Sequence, residues 1–174
     1  MIAYVGIGAN LGDARANVRD ALARLDAYPG CRLHAASGSW RTAPVDSSGD
    51  DYINAVAAVD TELDAHALLA ALMDIEQAHG RERPYRNAPR TLDLDLLCHG
   101  DALLNTPTLT LPHPRMGERA FVLLPLREAL SCLSASLTVA GVCLPALPGD
   151  AEEAKMARAQ GIARQCGFPV NFGI

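Results

Sequence analysis

The segment Thr91–Leu97, TLDLDLL, constrains this chain more than any other. In a strand successive side chains point to opposite faces, so Leu92, Leu94 and Leu96 share one face while Asp93 and Asp95 share the other, about 7 Å apart along the backbone. The leucines require a covering layer. The aspartates require water or cations. Taken alone, an Asp-x-Asp of this kind describes the wet face of a strand. Two like charges side by side in an otherwise apolar segment also describe hard oxygen ligands for Mg²⁺, which would relieve their repulsion. No histidine stands at ligand spacing beside them, which weighs against zinc or iron.

The layer that could cover those leucines is legible upstream. Met1–Ala9 is rich in Ile, Val and Tyr and reads as a buried strand. From Ala14 to Ala27, Val18, Ala21, Leu22 and Leu25 fall at i, i+3, i+4 and i+7, an amphipathic helix with Asp13 as its N-cap. Cys31–Trp40 and Tyr52–Thr61 read as two strands separated by a loop, Ala43–Asp51, of Pro, Ser, Gly and Asp character. Ala65–His79 is a second amphipathic helix through Leu68, Leu69, Leu72 and Ile75, stopped by Gly80. With Thr91–Cys98 as the next strand, the order is β, α, β, β, α, β. That order is the ferredoxin-like split βαβ of an α+β protein: an antiparallel sheet with helices packed on one face, whose other face can hold a site. C-terminal additions follow: short strands within Asp101–Leu111, a helix over Leu123–Ala129, a break at Pro145–Asp150 and a polar helix over Ala151–Cys166.

Composition narrows the function classes. At 174 residues, 49% apolar and 20% charged, the chain has the length and balance of one self-folding domain. A short apolar start with no basic residues ahead of it, and no run of about 18 apolar residues, leads us to expect a cytoplasmic protein with no membrane partner. Five scattered cysteines without a C-x-x-C pair argue against a disulfide framework or a zinc site. A net charge of -5 argues against a nucleic-acid surface. Lys155 is the only lysine, in a polar helical pattern, so a P-loop lysine or a Schiff-base lysine is not in view.

The basic residues are instead arginines, and four of them, Arg81, Arg83, Arg86 and Arg90, fall within ten residues, in a segment broken by Pro84 and Pro89 just before the aspartates. A solvated charged loop is one reading. Guanidinium forks matched to phosphate oxygens beside a Mg²⁺ pair is the other, and it describes a polyphosphate site needing no covalent nucleophile. Gly6, Gly8 and Gly12 have the wrong spacing for a dinucleotide fingerprint and suit a tight strand-to-helix turn. Tyr52 and Asn54 share a strand face, and Phe121 lies beyond Pro112-His113-Pro114. Core packing would explain the aromatics, and a flat heterocycle would explain both them and the amide.

Taken in order, Tyr4–Asp13 (YVGIGANLGD), Trp40–Pro44 (WRTAP), Tyr52–Asn54 (YIN), Ile75–Arg81 (IEQAHGR), Pro89–Leu97 (PRTLDLDLL), Leu111–Pro114 (LPHP) and Arg119–Leu123 (RAFVL) closely resemble the 6-hydroxymethyl-7,8-dihydropterin pyrophosphokinases of folate biosynthesis. The resemblance covers about residues 2–126 and leaves 131–174 as a tail without a motif. It implies ATP as co-substrate, Mg²⁺, in two ions, and AMP as second product; we expect a monomer made of a single pyrophosphokinase domain. Asp93 and Asp95 match the metal carboxylates, and Arg81 and Arg90 the arginines acting on the transferring group. Arg83, Thr110, His113 and Arg119 match ATP contacts, with Glu76 and Leu96 as weaker ones. Thr42, Pro44, Val45, Tyr52, Asn54 and Phe121 match the pterin pocket, the ring lying between Tyr52 and Phe121. A Mg²⁺-dependent nucleotidyltransferase and a non-catalytic ferredoxin-like binding module are the rival readings.

Overall fold

The computed structural model describes residues 1–44, 50–80, 90–133, 144 and 147–165. Its elements begin with β1 (Ile2–Ala9), α1 (Ala14–Ala27), β2 (Cys31–Ala36), β3 (Trp40–Thr42), β4 (Tyr52–Thr61), α2 (Ala65–Ala78) and β5 (Asp93–His99). There follow a small hairpin of β6 (Leu104–Asn105) and β7 (Thr110–Leu111), α3 (Ala120–Ser131), α4 (Asp150–Ala159) and β8 (Ile162–Arg164). The main sheet is antiparallel throughout, in the order β5-β1-β4-β3-β8, with β2 also paired to β4. This is the α+β, ferredoxin-like arrangement expected. No helix among the described residues is long and apolar enough to cross a membrane.

Local chemistry sets the element ends. The Asp13 carboxylate accepts the Ala16 N–H and the Asp64 carboxylate accepts the Ala67 N–H, so each satisfies an otherwise orphaned donor in the first turn of α1 and α2. Gly80, at φ +71°, turns the chain out of α2 as a left-handed residue that carries no Cβ penalty. Of the three glycines in the first twelve residues, only Gly12 (φ +62°) serves the strand-to-helix turn. Gly6 and Gly8 lie inside β1.

Two expectations change. The single strand read over Cys31–Trp40 is two, because Ser37, Gly38 and Ser39 interrupt it. Ser37 N–H donates to Val56 O at 2.8 Å and its hydroxyl accepts the Val56 N–H at 3.0 Å, so a side chain replaces one rung of the ladder. The polar helix read over Ala151–Cys166 stops at Ala159, where Gly161 (φ +57°) reverses the chain and Ile162–Arg164 joins β3 as an edge strand.

Alternation divides the sheet into two faces. Ala3, Val5 and Ile7 of β1, Ile53, Ala55, Ala57 and Val59 of β4, and Leu94 and Leu96 of β5 pack with α1 and α2, where Val18, Leu22, Leu25, Leu68 and Leu72 are buried. Each Val, Leu or Ile among them contributes about 1.5–3 kcal/mol by leaving water. On the opposite face α3 covers only one end, through Val122, Leu126 and Ala129 against Tyr4, Val56, Ala58, Leu97 and Cys98. That end is dry. The Tyr4 hydroxyl finds no hydrogen-bond partner among the described residues, and burial pushes its pKa up to about 12. The other end of this face is where the polar residues of the same strands converge.

Candidate functional site

Register builds that end residue by residue. Gly8 stands between Asp93 on β5 and Asn54 on β4, and Asn54 in turn opposes Trp40 on β3. One step toward the covered end Gly6 stands between Asp95 and Val56, and one step the other way Tyr52 opposes Thr42. Directly opposed residues share a face, so both aspartates, Asn54, Tyr52 and Thr42 rise from one floor, with the leucines of β5 beneath it. The glycines keep the middle strand low. A Cβ on Gly8 would sit 3.2 Å from the Asn54 side-chain oxygen, closer than that amide tolerates without moving. Asn54 Nδ2 donates to the Thr42 hydroxyl at 2.8 Å, which fixes the amide's orientation in a nearly buried position.

Charge gathers on the β5 side. Arg90 forms an ion pair with Asp93, and Arg119 Nη1 lies 3.6 Å from Asp95 Oδ2. Asp95 is pushed above the ordinary carboxylate range, by burial first and the neighbouring Asp93 second. His113 is pulled below the ordinary imidazole range by burial, against the opposing pull of Asp95. Its main-chain N–H donates to Leu97 O at 2.8 Å, and its Nδ1 accepts the Arg115 N–H at 3.2 Å, which leaves Nε2 as the protonated nitrogen of the neutral ring. Burial also lowers the Arg119 pKa, and this guanidinium stacks 5.5 Å from the centre of the Phe121 ring. Tyr52, Phe121, Pro44 and Thr110 are half-buried at the margins.

Asp93, Asp95, Arg90, His113, Arg119 and Phe121 are linked by the contacts just described, and Thr42, Tyr52 and Asn54 by register on the same face. Glu76 and Leu96 are placed differently. Glu76, on α2, is buried among apolar side chains and accepts the Leu94 N–H at 2.8 Å, so it ties β5 to α2 from behind the floor. The Leu96 side chain lies in the helix-side core, and only its main chain is left to meet a ligand. Val45, Arg81 and Arg83 lie outside the described residues.

Two asparagines were missed from the sequence. Asn10 is buried at the end of β1. Its Oδ1 accepts the Arg90 N–H at 2.8 Å, while its own N–H donates to Arg90 O at 3.0 Å. Asn17, from α1, donates to both Leu11 O (3.0 Å) and Thr91 O (3.1 Å). Together they staple the segment entering β5, and so set where Arg90 starts. A polar residue directly after the apolar strand in YVGIGANLGD was the available signal, since a buried amide needs partners.

The two carboxylates fit a hard divalent cation completed by phosphate oxygens and water: they share a face, and they repel. Among the described residues no third His, Cys, Asp or Glu joins them in a cluster. Arginines pair with both carboxylates in the structure as it stands.

Residues 4–131 match the family model for 7,8-dihydro-6-hydroxymethylpterin-pyrophosphokinase (HPPK). The chain is 45% identical over 127 residues to the 2-amino-4-hydroxy-6-hydroxymethyldihydropteridine pyrophosphokinase of Methylorubrum extorquens, covering 72% of this chain and 80% of that one. It is 43% identical over 126 residues to the enzyme of the same name from Pseudomonas aeruginosa, covering 72% and 78%. Among solved structures, an HPPK-DHPS protein in complex with substrates superposes with a TM-score of 0.58 at 13% identity. That match covers 73% of this chain and 39% of the other, and speaks for the fold alone. With nearly three quarters of its length matched by the family model and by close relatives, the chain belongs to the 7,8-dihydro-6-hydroxymethylpterin-pyrophosphokinase family.

Proposed function

We propose that the chain transfers the β,γ-pyrophosphoryl group of ATP to the hydroxymethyl oxygen of 6-hydroxymethyl-7,8-dihydropterin, giving the pterin diphosphate and AMP in tetrahydrofolate biosynthesis. The observation that carries the reading is the convergence, on one open end of one sheet face, of a charged half (Asp93, Asp95, Arg90, His113, Arg119) and a half suited to a flat polar ring (Thr42, Asn54, Tyr52, Phe121). A polyphosphate held by the charged half and a heterocycle held by Asn54 would meet beside Gly8, the β1 residue between Asp93 and Asn54, which carries no side chain of its own.

In this reaction the alcohol oxygen bonds to the β-phosphorus, the bond from that phosphorus to the α-bridging oxygen breaks, its electron pair leaves with AMP, and the alcohol proton is released. The transition state is loose, so the work is alignment and charge neutralisation. Asp93 and Asp95 would hold Mg²⁺, in two ions, which supplies charge neutralisation at the phosphates. Arg90, with Arg81, acts on the transferring group. Arg119, His113, Arg83 and Thr110 hold ATP, with Glu76 and Leu96 contributing through the placement of β5. Asn54 reads the polar edge of the pterin between Tyr52 and Phe121, with Thr42, Pro44 and Val45 around it. The same reading takes residues 1–174 as one domain, because α4 and β8 pack on α3 and β3, and takes the protein as a cytoplasmic monomer that binds neither nucleic acid nor membrane.

Incubation with ATP, Mg²⁺ and the reduced hydroxymethylpterin tests it. AMP should form only when pterin is present. Release of pyrophosphate instead would mean attack at the α-phosphorus and a nucleotidyltransferase, and no turnover would mean a binding module.

A further inference from the structure

The family match ends at residue 131, yet the described part of the remaining chain is docked against the site. β8 pairs with β3 so that Ile162 opposes Thr42 and Arg164 opposes Trp40. Arg164 donates to Glu128 Oε1 through Nε (2.9 Å) and Nη2 (2.6 Å), and Trp40 Nε1 donates to Glu128 Oε2 at 2.7 Å, so one carboxylate on α3 joins β3 to β8. Arg127 on α3 forms ion pairs with Asp150 and Glu153 on α4. Ile162 and Met156 pack with Trp40, Ala120, Leu124 and Phe121.

Gln160, between α4 and β8, makes the most directed of these contacts. Its Oε1 accepts the Ala120 N–H at 2.9 Å, and its Nε2 donates to Glu118 O at 3.2 Å. The two anchors bracket a single residue, Arg119. That residue is the N-cap of α3 and provides no side-chain cap itself, so Gln160 supplies from a distance the acceptor that the first turn lacks. The Arg119 side chain is thereby left free to reach Asp95 and to stack on Phe121.

We infer that Gln160 is a positioning residue for Arg119 and Phe121, through which the segment 150–165 acts on the substrate site. The inference rests on the reading of Arg119 as an ATP contact, and it gives the tail a role that the family match does not reach. An arginine on an unbracketed turn samples more orientations, so ATP binding weakens while the chemical step, carried elsewhere, changes little.

The test is a double-mutant cycle in the full-length enzyme: Gln160→Ala and Gln160→Met, each alone and with Arg119→Ala. Kinetics with ATP as the varied substrate are followed together with thermal unfolding. Gln160→Ala should raise KM for ATP about tenfold and change kcat by less than about threefold. Gln160→Met keeps the bulk and loses both hydrogen bonds, so it should match Ala, and it remains informative if the smaller residue unfolds the tail. In the Arg119→Ala background either change should add less than about twofold, because the residue being positioned is gone. A normal KM in both single variants, a normal KM in Met alone, or an undiminished penalty in the Arg119→Ala background would overturn the positioning role. If Arg119→Ala by itself leaves KM for ATP unchanged, the reading of Arg119 fails first, and the inference falls with it.

Discussion

The two ends of the sheet's second face are built from the same three strands and differ in almost everything else. At one end Tyr4, Val56, Ala58, Leu97 and Cys98 are sealed under α3, so dry that the Tyr4 hydroxyl has no partner among the described residues. At the other, two to four residues along each strand, the positions are Gly6, Gly8, Asn54, Asp93 and Asp95. The strands themselves do not distinguish the ends. What does is where α3 stops: its N-terminus delivers Arg119 and Phe121 to the boundary, the first toward the aspartates and the second against the apolar cluster. A half-covered sheet thus supplies a rigid floor and a wall at once, with the core of the covered end holding the open end in register.

The comparison predicts that substitutions at the open end change turnover or binding, and those at the covered end change stability. The largest effect belongs to Arg90. A guanidinium aimed at a loose phosphoryl transition state contributes about 10³ to 10⁵ in rate, or roughly 4 to 7 kcal/mol. Arg90→Ala should therefore lower kcat by that order with ATP affinity changed less than about tenfold, and Arg90→Lys, keeping charge without the planar fork, should recover part of it. Steady-state kinetics decide, and near-normal kcat in both variants would reduce Arg90 to a surface charge. Next comes the covered end: Leu126→Ala, fully buried against β1 and β4, should cost about 2 to 5 kcal/mol by denaturant unfolding while kcat of the folded protein stays close to normal. A large loss of kcat there would show that the two ends are not separable.

Smaller and more selective effects are expected at the ring-binding half. Asn54→Leu leaves the Thr42 hydroxyl without its donor and a bound polar ring edge unpaired, a cost of about 1 to 3 kcal/mol in pterin affinity. Tyr52→Ala and Phe121→Ala should each lose the stacking contribution of about 0.5 to 1.5 kcal/mol beyond the area removed. Calorimetry with pterin and with ATP separates these from a general loosening, since the three should leave ATP affinity nearly unchanged. If Phe121→Ala lowers stability without touching pterin affinity, that ring belongs to the covered end.

How far the sequence reaches follows the same division. Periodic elements were legible because their apolar faces repeat: α1 runs over the residues read for it, Asp13 caps it, and the leucines of β5 lie under the helices while its aspartates rise from the other face. What was not legible depends on residues distant in the chain. Nothing local to Gln160 says that it will bracket Arg119, and nothing local to Gly8 says that a Cβ there would meet Asn54. Glu76 is the instructive case. The family resemblance matches it to a weaker nucleotide contact, and its burial and its bond to the Leu94 N–H put its carboxylate behind the floor, where it braces β5. The break at Ser37–Ser39 escaped because an alternating pattern does not show when a hydroxyl will replace a ladder bond.

The smallest expected effect, one of melting temperature and not of turnover, separates the two aspartates themselves. Asp93 has Arg90 as a close ion-pair partner, whereas Asp95 sits 3.6 Å from Arg119, with burial and the neighbouring Asp93 both disfavouring its charge. Its carboxyl is therefore harder to ionise in the folded protein than at its ordinary value of 3.8. Between that value and the raised one the folded state holds more protons than the unfolded chain, so stability declines as pH rises through the window, and the deficit persists at neutral pH. Asp95→Asn removes the titration. Without Mg²⁺ it should melt above the parent at pH 7, with the gap closing as the pH falls from the raised value toward 3.8 and gone below it. Added Mg²⁺ should raise the melting temperature of the parent more than that of the variant, because the cation offsets the repulsion that the amide no longer has. Asp93→Asn should show no such gain, since it gives up the pair with Arg90. Both variants should lose most turnover. Differential scanning calorimetry across pH, with and without Mg²⁺, reads the difference. A lower melting temperature for Asp95→Asn at pH 7 in the metal-free protein would mean that the Arg119 contact outweighs burial and repulsion, and that the open end is satisfied by its arginines alone.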